Sequence, residues 1–167
     1  MAILTFPKLD LAPGPETIAF RCVESILRDD PVLKRVISKN GWYSWLGDAQ
    51  DDSDATLSSC PWIRLTPQAG DSDWESENQH RSPLLVGIEL AVAGTNADQL
   101  MNLWHAVRRA LFPLDVAALQ AIRDRADAAK ITKSRISRPA FGIRKDDAGN
   151  KFGIAGGVLE LLLLVDT

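Results

Sequence analysis

The sequence predicts an α+β domain: an antiparallel sheet of about four strands with helices packed against it. Three observations lead there. Residues 84–92 place Leu84, Val86, Ile88, Leu90 and Val92 on one face at period two, the pattern of a strand with a buried side. Asn96 then opens a helix over 96–111 whose Leu100, Leu103, Trp104, Val107 and Leu111 form one apolar stripe at helical spacing. Residues 154–165 make a second, more apolar strand, with Leu159, Leu161, Leu163 and Val165 on one face. Its other face carries Val158, Leu162 and Leu164, interrupted by Glu160. Apolar residues on both faces predict cover on both sides, the second from a helix or a neighbouring subunit.

The remaining elements follow in chain order. Residues 1–15 contain Pro7, Pro13, Gly14 and Pro15 and read as an extended arm ahead of a single domain at 16–167. A helix is expected over 16–28, where Ile18, Cys22, Val23, Ile26 and Leu27 align. Asp30-Pro31 restarts structure, because Asp caps well and Pro suits the first helical position. Val32, Leu33, Val36 and Ile37 keep helical spacing up to the stop signal Asn40-Gly41, with a short strand as the alternative. Trp42, Tyr43 and Trp45 form an aromatic cluster before a polar loop. A strand is expected at 62–66, ended by 67–70, and 71–79 reads as a second polar loop around Trp74. Pro113 stops the long helix, and Asp115 is placed to cap a third, with Val116, Leu119, Ile122 and Ala126 as its apolar line. Residues 131–138 are extended and basic. Asp146-Asp147-Ala148-Gly149-Asn150 is a turn signal that predicts a hairpin into the last strand.

Composition narrows the class. At 167 residues the chain is about one domain long, and a net charge of -3 argues against a general nucleic-acid or membrane binder. No apolar run reaches the roughly 18 residues that span a bilayer. The first seven residues have no basic flank and no long apolar core, so no secretory signal is expected. Cys22 and Cys60 are unclustered, which suggests reduced thiols and an intracellular origin.

The residue types that carry chemistry do not converge. His80 and His105 have no metal-binding partner at helical or zinc spacing, and structural or solvated roles fit them better. Neither cysteine has a local base or cation to activate it. Gly153-Ile154-Ala155-Gly156-Gly157 leads into a strand with no Lys-Ser or Lys-Thr behind it, so a flexible start or bulge is expected, not a phosphate loop. Asp48, Asp51, Asp52 and Asp54 lack the central Gly and distal Glu of a calcium loop. Glu89 has no lysine two positions on, as a nuclease strand would need. No catalytic residue, cofactor or metal is expected.

Charge is unevenly spread. Residues 48–80 hold eight acidic side chains and one basic, whereas 108–151 hold eleven basic and five acidic. Both are ordinary solvated surface, or else acidic and basic regions of successive subunits meet head to tail in a ring. The order of elements resembles a known family. An amphipathic helix (17–28), a Pro-flanked strand (61–67) and a long polar loop come first. Then follow Ser82-Pro83-Leu84-Leu85-Val86-Gly87-Ile88-Glu89-Leu90, the 96–111 helix ending in Phe112-Pro113, and a terminal strand. Across 16–167 this layout is similar to the tail terminator proteins of long-tailed bacteriophages, also called tail completion or tail-to-head joining proteins.

The resemblance implies a structural, non-enzymatic virion protein. It implies a homohexameric ring at the head-proximal end of the tail, made in the host cytoplasm. Such a ring caps the tail tube protein, ends tube polymerisation and meets the head connector or stopper protein, while DNA passes through without specific binding and no membrane is involved. In that setting Asp71, Asp73, Trp74, Glu75 and Glu77 are candidate tube or lumen contacts. Arg108, Arg109, Lys133, Arg135 and Arg138 are candidate inter-subunit contacts. The acidic stretch before Trp62 and the helix after Pro113 look longer than a minimal member needs. Another neck component, a stopper or adaptor, is the alternative; a small ligand-binding or enzymatic domain is the other, and it would need convergent polar groups.

Overall fold

Pro15 opens the first helix of the computed structural model, which describes residues 12–44, 60–69, 73–76, 79–112 and 130–166. Helix α1 (Pro15–Asp29) buries Ala19, Phe20, Cys22, Val23 and Leu27, the stripe its spacing predicts. Glu24 and Arg28 pair across one turn of its outer face at 2.9 Å. Asp30 ends α1 and starts α2 (Pro31–Val36): its carboxylate accepts from the amides of Val32 and Leu33, both at 2.9 Å. The helical reading of 31–36 therefore holds over the strand alternative. A 3-10 turn at Lys39–Gly41 follows, at the expected stop. Helix α3 (Ala97–Leu111) starts where the Asn96 side chain accepts from the Gln99 amide at 3.2 Å. It buries Leu100, Leu103, Trp104, Ala106, Val107 and Leu111.

Seven strands form one sheet: β1 (Trp42–Ser44), β2 (Trp62–Ala69), β3 (Asp73–Ser76), β4 (Gln79–Ala93), β5 (Ile131–Ile136), β6 (Ala140–Lys145) and β7 (Lys151–Asp166). Their order is β1-β2-β4-β7-β5, with β3 beside β4 and β6 beside β7. The run β2-β4-β7-β5 is the four-stranded antiparallel sheet that the sequence predicts; β1 extends it in parallel, and β3 and β6 extend it at its ends. The fold is α+β.

Register sorts the side chains onto two faces. Leu84, Val86, Leu90 and Val92 of β4 stand opposite Leu161, Leu159, Ala155 and Gly153 of β7. With Ile63 and Leu65 of β2 and the buried faces of the helices, the large residues of this set make the main core. Both α1 and α3 lie against β7 on that side. The opposite face is different. Its buried cluster is small, made of Tyr43, Trp62, Ala91 and Phe152, with Tyr43 edge-on to Trp62 at 5.9 Å between centroids. Further along, Val158, Leu162 and Leu164 are only half-buried. The doubly apolar last strand is thus fully covered on its helix side alone.

Several boundaries differ from expectation for physical reasons. Strand β2 continues through Pro67 to Ala69, where a stop was expected. Strand β1 borders only Ile63–Leu65, so among the described residues Pro67 sits on an open edge of β2, where a missing N–H costs no ladder bond. Part of the expected polar loop is strand β3, because β4 begins at Gln79 and its overhang past Leu84 offers backbone partners at Gln79, His80 and Arg81. Glycines 153, 156 and 157 are neither a flexible start nor a bulge: β7 begins at Lys151 and stays in register with β4 through all three. Gly157 is where α3 comes closest. A Cβ there would stand 2.5 Å from Trp104 Cη2 and 2.9 Å from Cζ2, so the indole lies on bare backbone. The third helix expected from Asp115, Trp45 and the acids at 48–54 lie outside the described residues; of the expected arm at 1–15 only residues 12–15 are described, and Pro15 already belongs to α1, since its fixed φ suits the first helical position.

Candidate assembly surface

The outer edge of β7 is occupied by two short strands laid end to end. Between them, Ser137 donates its amide to the Val158 carbonyl at 2.8 Å, and its hydroxyl accepts from the Val158 amide at 2.8 Å. This double tie holds the break at 137–139 against β7, ahead of Pro139. Strand β6 then runs back to β7 through the predicted turn. There Asp146 accepts from the Asn150 amide at 2.8 Å and from its side-chain amide at 2.9 Å, while Gly149 takes a φ of +82°. The Asn150 side-chain bond is the main cause that lowers the Asp146 carboxyl below its ordinary value.

Every residue of β6 is exposed. Phe141 and Ile143 keep 51% and 62% of their surface, and Met101 on α3 keeps 48%. These three, with Leu100, Asn96 and Gly153, line an apolar groove of about 540 Å³ between β6 and the start of α3. Large apolar residues left open on a strand that pairs on one side only are unusual, because such an edge invites another strand. The same edge is basic. From Lys130 to Lys145 there are six cations (Lys130, Lys133, Arg135, Arg138, Arg144 and Lys145) and no carboxylate.

The expected inter-subunit residues fall on two elements. Lys133 and Arg135 are exposed on β5, and Arg138 is exposed just after it. Arg135 is held by an ion pair with Glu160 of β7. Arg108 and Arg109 are exposed on the last turn of α3, where cations also suit the helix carboxyl end. On the face away from the helices, Glu89 lies between Arg64 at 3.9 Å and Arg144 at 3.1 Å. Among the expected tube or lumen contacts, Asp73, Trp74 and Glu75 lie on β3, whereas Asp71 and Glu77 lie outside the described residues.

Phe141 and Ile143 are the residues that sequence reasoning missed. The turn at 146–150 announced a hairpin, and the Phe-Gly-Ile alternation before it was the available signal for its first arm. A second groove, of about 440 Å³, runs between α2 and α3 and is lined by Val32, Val36, Leu103 and Ala106, with Gln99 and Asn102 as its polar side chains. Among the described residues that line it there is no titratable side chain to act as general acid, base or nucleophile. Cys60 lies near that region, and burial pushes its thiol up, which lowers the thiolate fraction. Among the described residues no group of three His, Cys, Asp or Glu side chains is placed to hold a metal, and no helix is long and apolar enough to cross a membrane.

No protein-family model matches the chain, and no curated protein matches it. Among solved structures it is similar to a chain in the virion of a native gene transfer agent particle, with a TM-score of 0.40 and 10% identity over 86% of this chain and 93% of that one. A likeness that loose fixes no role.

Proposed function

We propose that this chain is a structural virion protein of the tail-terminator kind: a ring, of six copies, that caps the tail tube, ends its growth and presents a surface to the head connector. The observation that carries the reading is the order of elements. Helix α1, strand β2, strand β4 with its Ser82–Leu90 stretch, helix α3 and strand β7 follow one another in the order on which the resemblance rests, and the expected long polar loop is partly strand β3. The open edge of β6, with Phe141 and Ile143 uncovered beside six cations, supports it as a surface built for contact with protein. Closed rotational symmetry would let a domain of this size finish a cylinder while leaving no contact surface unmatched. In this role the basic residues of β5 and of the α3 terminus face neighbouring copies, and DNA passes through the channel with no specific site. Labelling the chain in purified virions or tails and imaging them tests the proposal. Label at the head-proximal end of the tube is expected; a tail map lacking the protein there refutes it.

A further inference from the structure

Among the described strands β1, β3, β5 and β6 each pair on one side only, and two of them, β3 and β6, lie in stretches of opposite charge. Strand β3 pairs with β4, and β6 pairs with β7; neither has a second neighbour among the described strands. They lie on opposite edges and at opposite ends of the sheet. Strand β3 meets β4 at Gln79–Arg81, whereas β6 is aligned through β7 with Glu89–Ala93. Eleven or so residues of extended chain separate the two sites, roughly 35 Å. One copy therefore cannot bring its own β3 to its own β6.

We infer that β3 of one copy adds to the open edge of β6 of the next, a head-to-tail strand pairing between subunits. This rests on the ring reading above and names its joint. Charge supports a second copy as the occupant. Residues 70–79 contain four carboxylates (Asp71, Asp73, Glu75, Glu77) and no cation, against the six cations and no carboxylate of 130–145. Residue types match as well. Along β3 carboxylates at 73 and 75 alternate with the indole at 74, while along β6 Phe141 and Ile143 alternate with Arg144. An added strand of that pattern can put its apolar position on the face of the uncovered Phe141 and Ile143 and its acidic positions on the face of Arg144, with Arg138 and Lys145 as further cations near the two ends of β6. Arg144 keeps 55% of its side chain exposed while bonded to Glu89, so it has donors to spare. Backbone bonds supply affinity in such a joint, and the alternating side chains supply register. Two different patches in contact make a heterologous interface, which closes into a ring when the rotation permits. Asp73, Trp74 and Glu75 thereby serve a neighbour in place of the tube.

Charge reversal with mixing tests the joint. One variant carries Asp73→Lys and Glu75→Lys; the other carries Arg138→Glu and Lys145→Glu, which leaves the Arg144–Glu89 bond in place. Sedimentation of the wild-type chain, each variant and a 1:1 mixture is compared, with thermal melts to show that each variant folds. The wild type should assemble, each variant alone should sediment as single copies, and the mixture should regain the wild-type assembly, since basic β3 then meets acidic β6 and acidic β3 meets basic β6. If either variant assembles as the wild type does, the joint is overturned and the ring reading stands. A mixture that stays as single copies overturns the joint too. A wild type that remains single at every concentration overturns both the joint and a ring formed by this chain alone.

Discussion

Replacing Gly157 by alanine adds one methyl group where helix and sheet are closest. The new Cβ would lie 2.5 Å and 2.9 Å from two ring carbons of Trp104 and 3.2 Å from Ser137 Oγ. Ordinary carbon–carbon contact is about 3.5–4.0 Å, so the indole must retreat by about 1 Å or α3 must lift. Neither is cheap. Trp104 is only 5% exposed and has two side-chain torsions, and Ser137 is fixed by its two bonds to Val158. Overpacking of this kind costs about 1–3 kcal/mol, partly offset by the ~0.4–1 kcal/mol that Ala gains over Gly by restricting the unfolded chain. The net expectation is a loss of about 1–2 kcal/mol, or roughly 2–8 °C in melting temperature for a chain of this length.

The same geometry makes the effect conditional. Trp104→Ala alone removes a buried indole and should cost about 3–5 kcal/mol with loss of soluble protein. In that background the two severe contacts are gone and only Ser137 Oγ, at 3.2 Å, remains close, so Gly157→Ala should cost much less than it does alone. Urea unfolding of wild type, both single variants and the double variant gives the coupling energy directly. A Gly157→Ala protein as stable as wild type, or two substitutions that simply add, refutes the seating of Trp104 on β7.

Three further outcomes are expected. Asp30→Ala removes the acceptor for the Val32 and Leu33 amides and should cost about 0.5–2 kcal/mol in chemical denaturation, while Asp30→Asn or Asp30→Ser recovers most of it. Phe141→Ser with Ile143→Ser changes exposed residues, so stability should stay within about 0.5 kcal/mol while self-association in sedimentation weakens; equal association would discount the groove. The Asp146 carboxyl is lowered from 3.8, so its contribution to the turn is complete above that ordinary value and is lost as pH falls through the lower folded value. A carboxyl titration followed by NMR should show that lowering, and Asn150→Ala, which removes its main cause, should bring the value back up.

Local signals were legible in the sequence and non-local ones were not. Helices α1 and α3 announced themselves because an apolar stripe is written within one segment, Ile18 to Leu27 in the first and Leu100 to Leu111 in the second, where Asn96 also supplies the cap. The cores of β4 and β7 were equally clear, since burial on the helix side imposes period two. Strand β3 was hidden because Asp-Trp-Glu-Ser has poor strand propensity, and what makes it a strand is the backbone of β4. Pro67 misled for the opposite reason, since its tolerance depends on how far β1 reaches along β2. The glycines of β7 misled because their cause is a tryptophan on a distant helix. For the surface, the charge asymmetry was visible from the start, whereas the open edge of β6 with Phe141 and Ile143 emerged only from the topology.

The position of β7 in the chain sets the order in which this protein can form. It pairs with β4, β5 and β6, all of which precede it, from Gln79 opposite Asp166 to Ala93 opposite Phe152. During synthesis the helices can form as they emerge, but the sheet has no centre until β7 has left the ribosome. Until then Leu84, Val86, Ile88 and Leu90 have helices to lean on and no strand along one edge. Long-range pairing of this kind folds slowly and leaves apolar edges open to other nascent chains. A chain that completes its sheet this late is therefore exposed to premature pairing at those edges. Completing β7 is the step that closes the open side of β4 and ends that exposure.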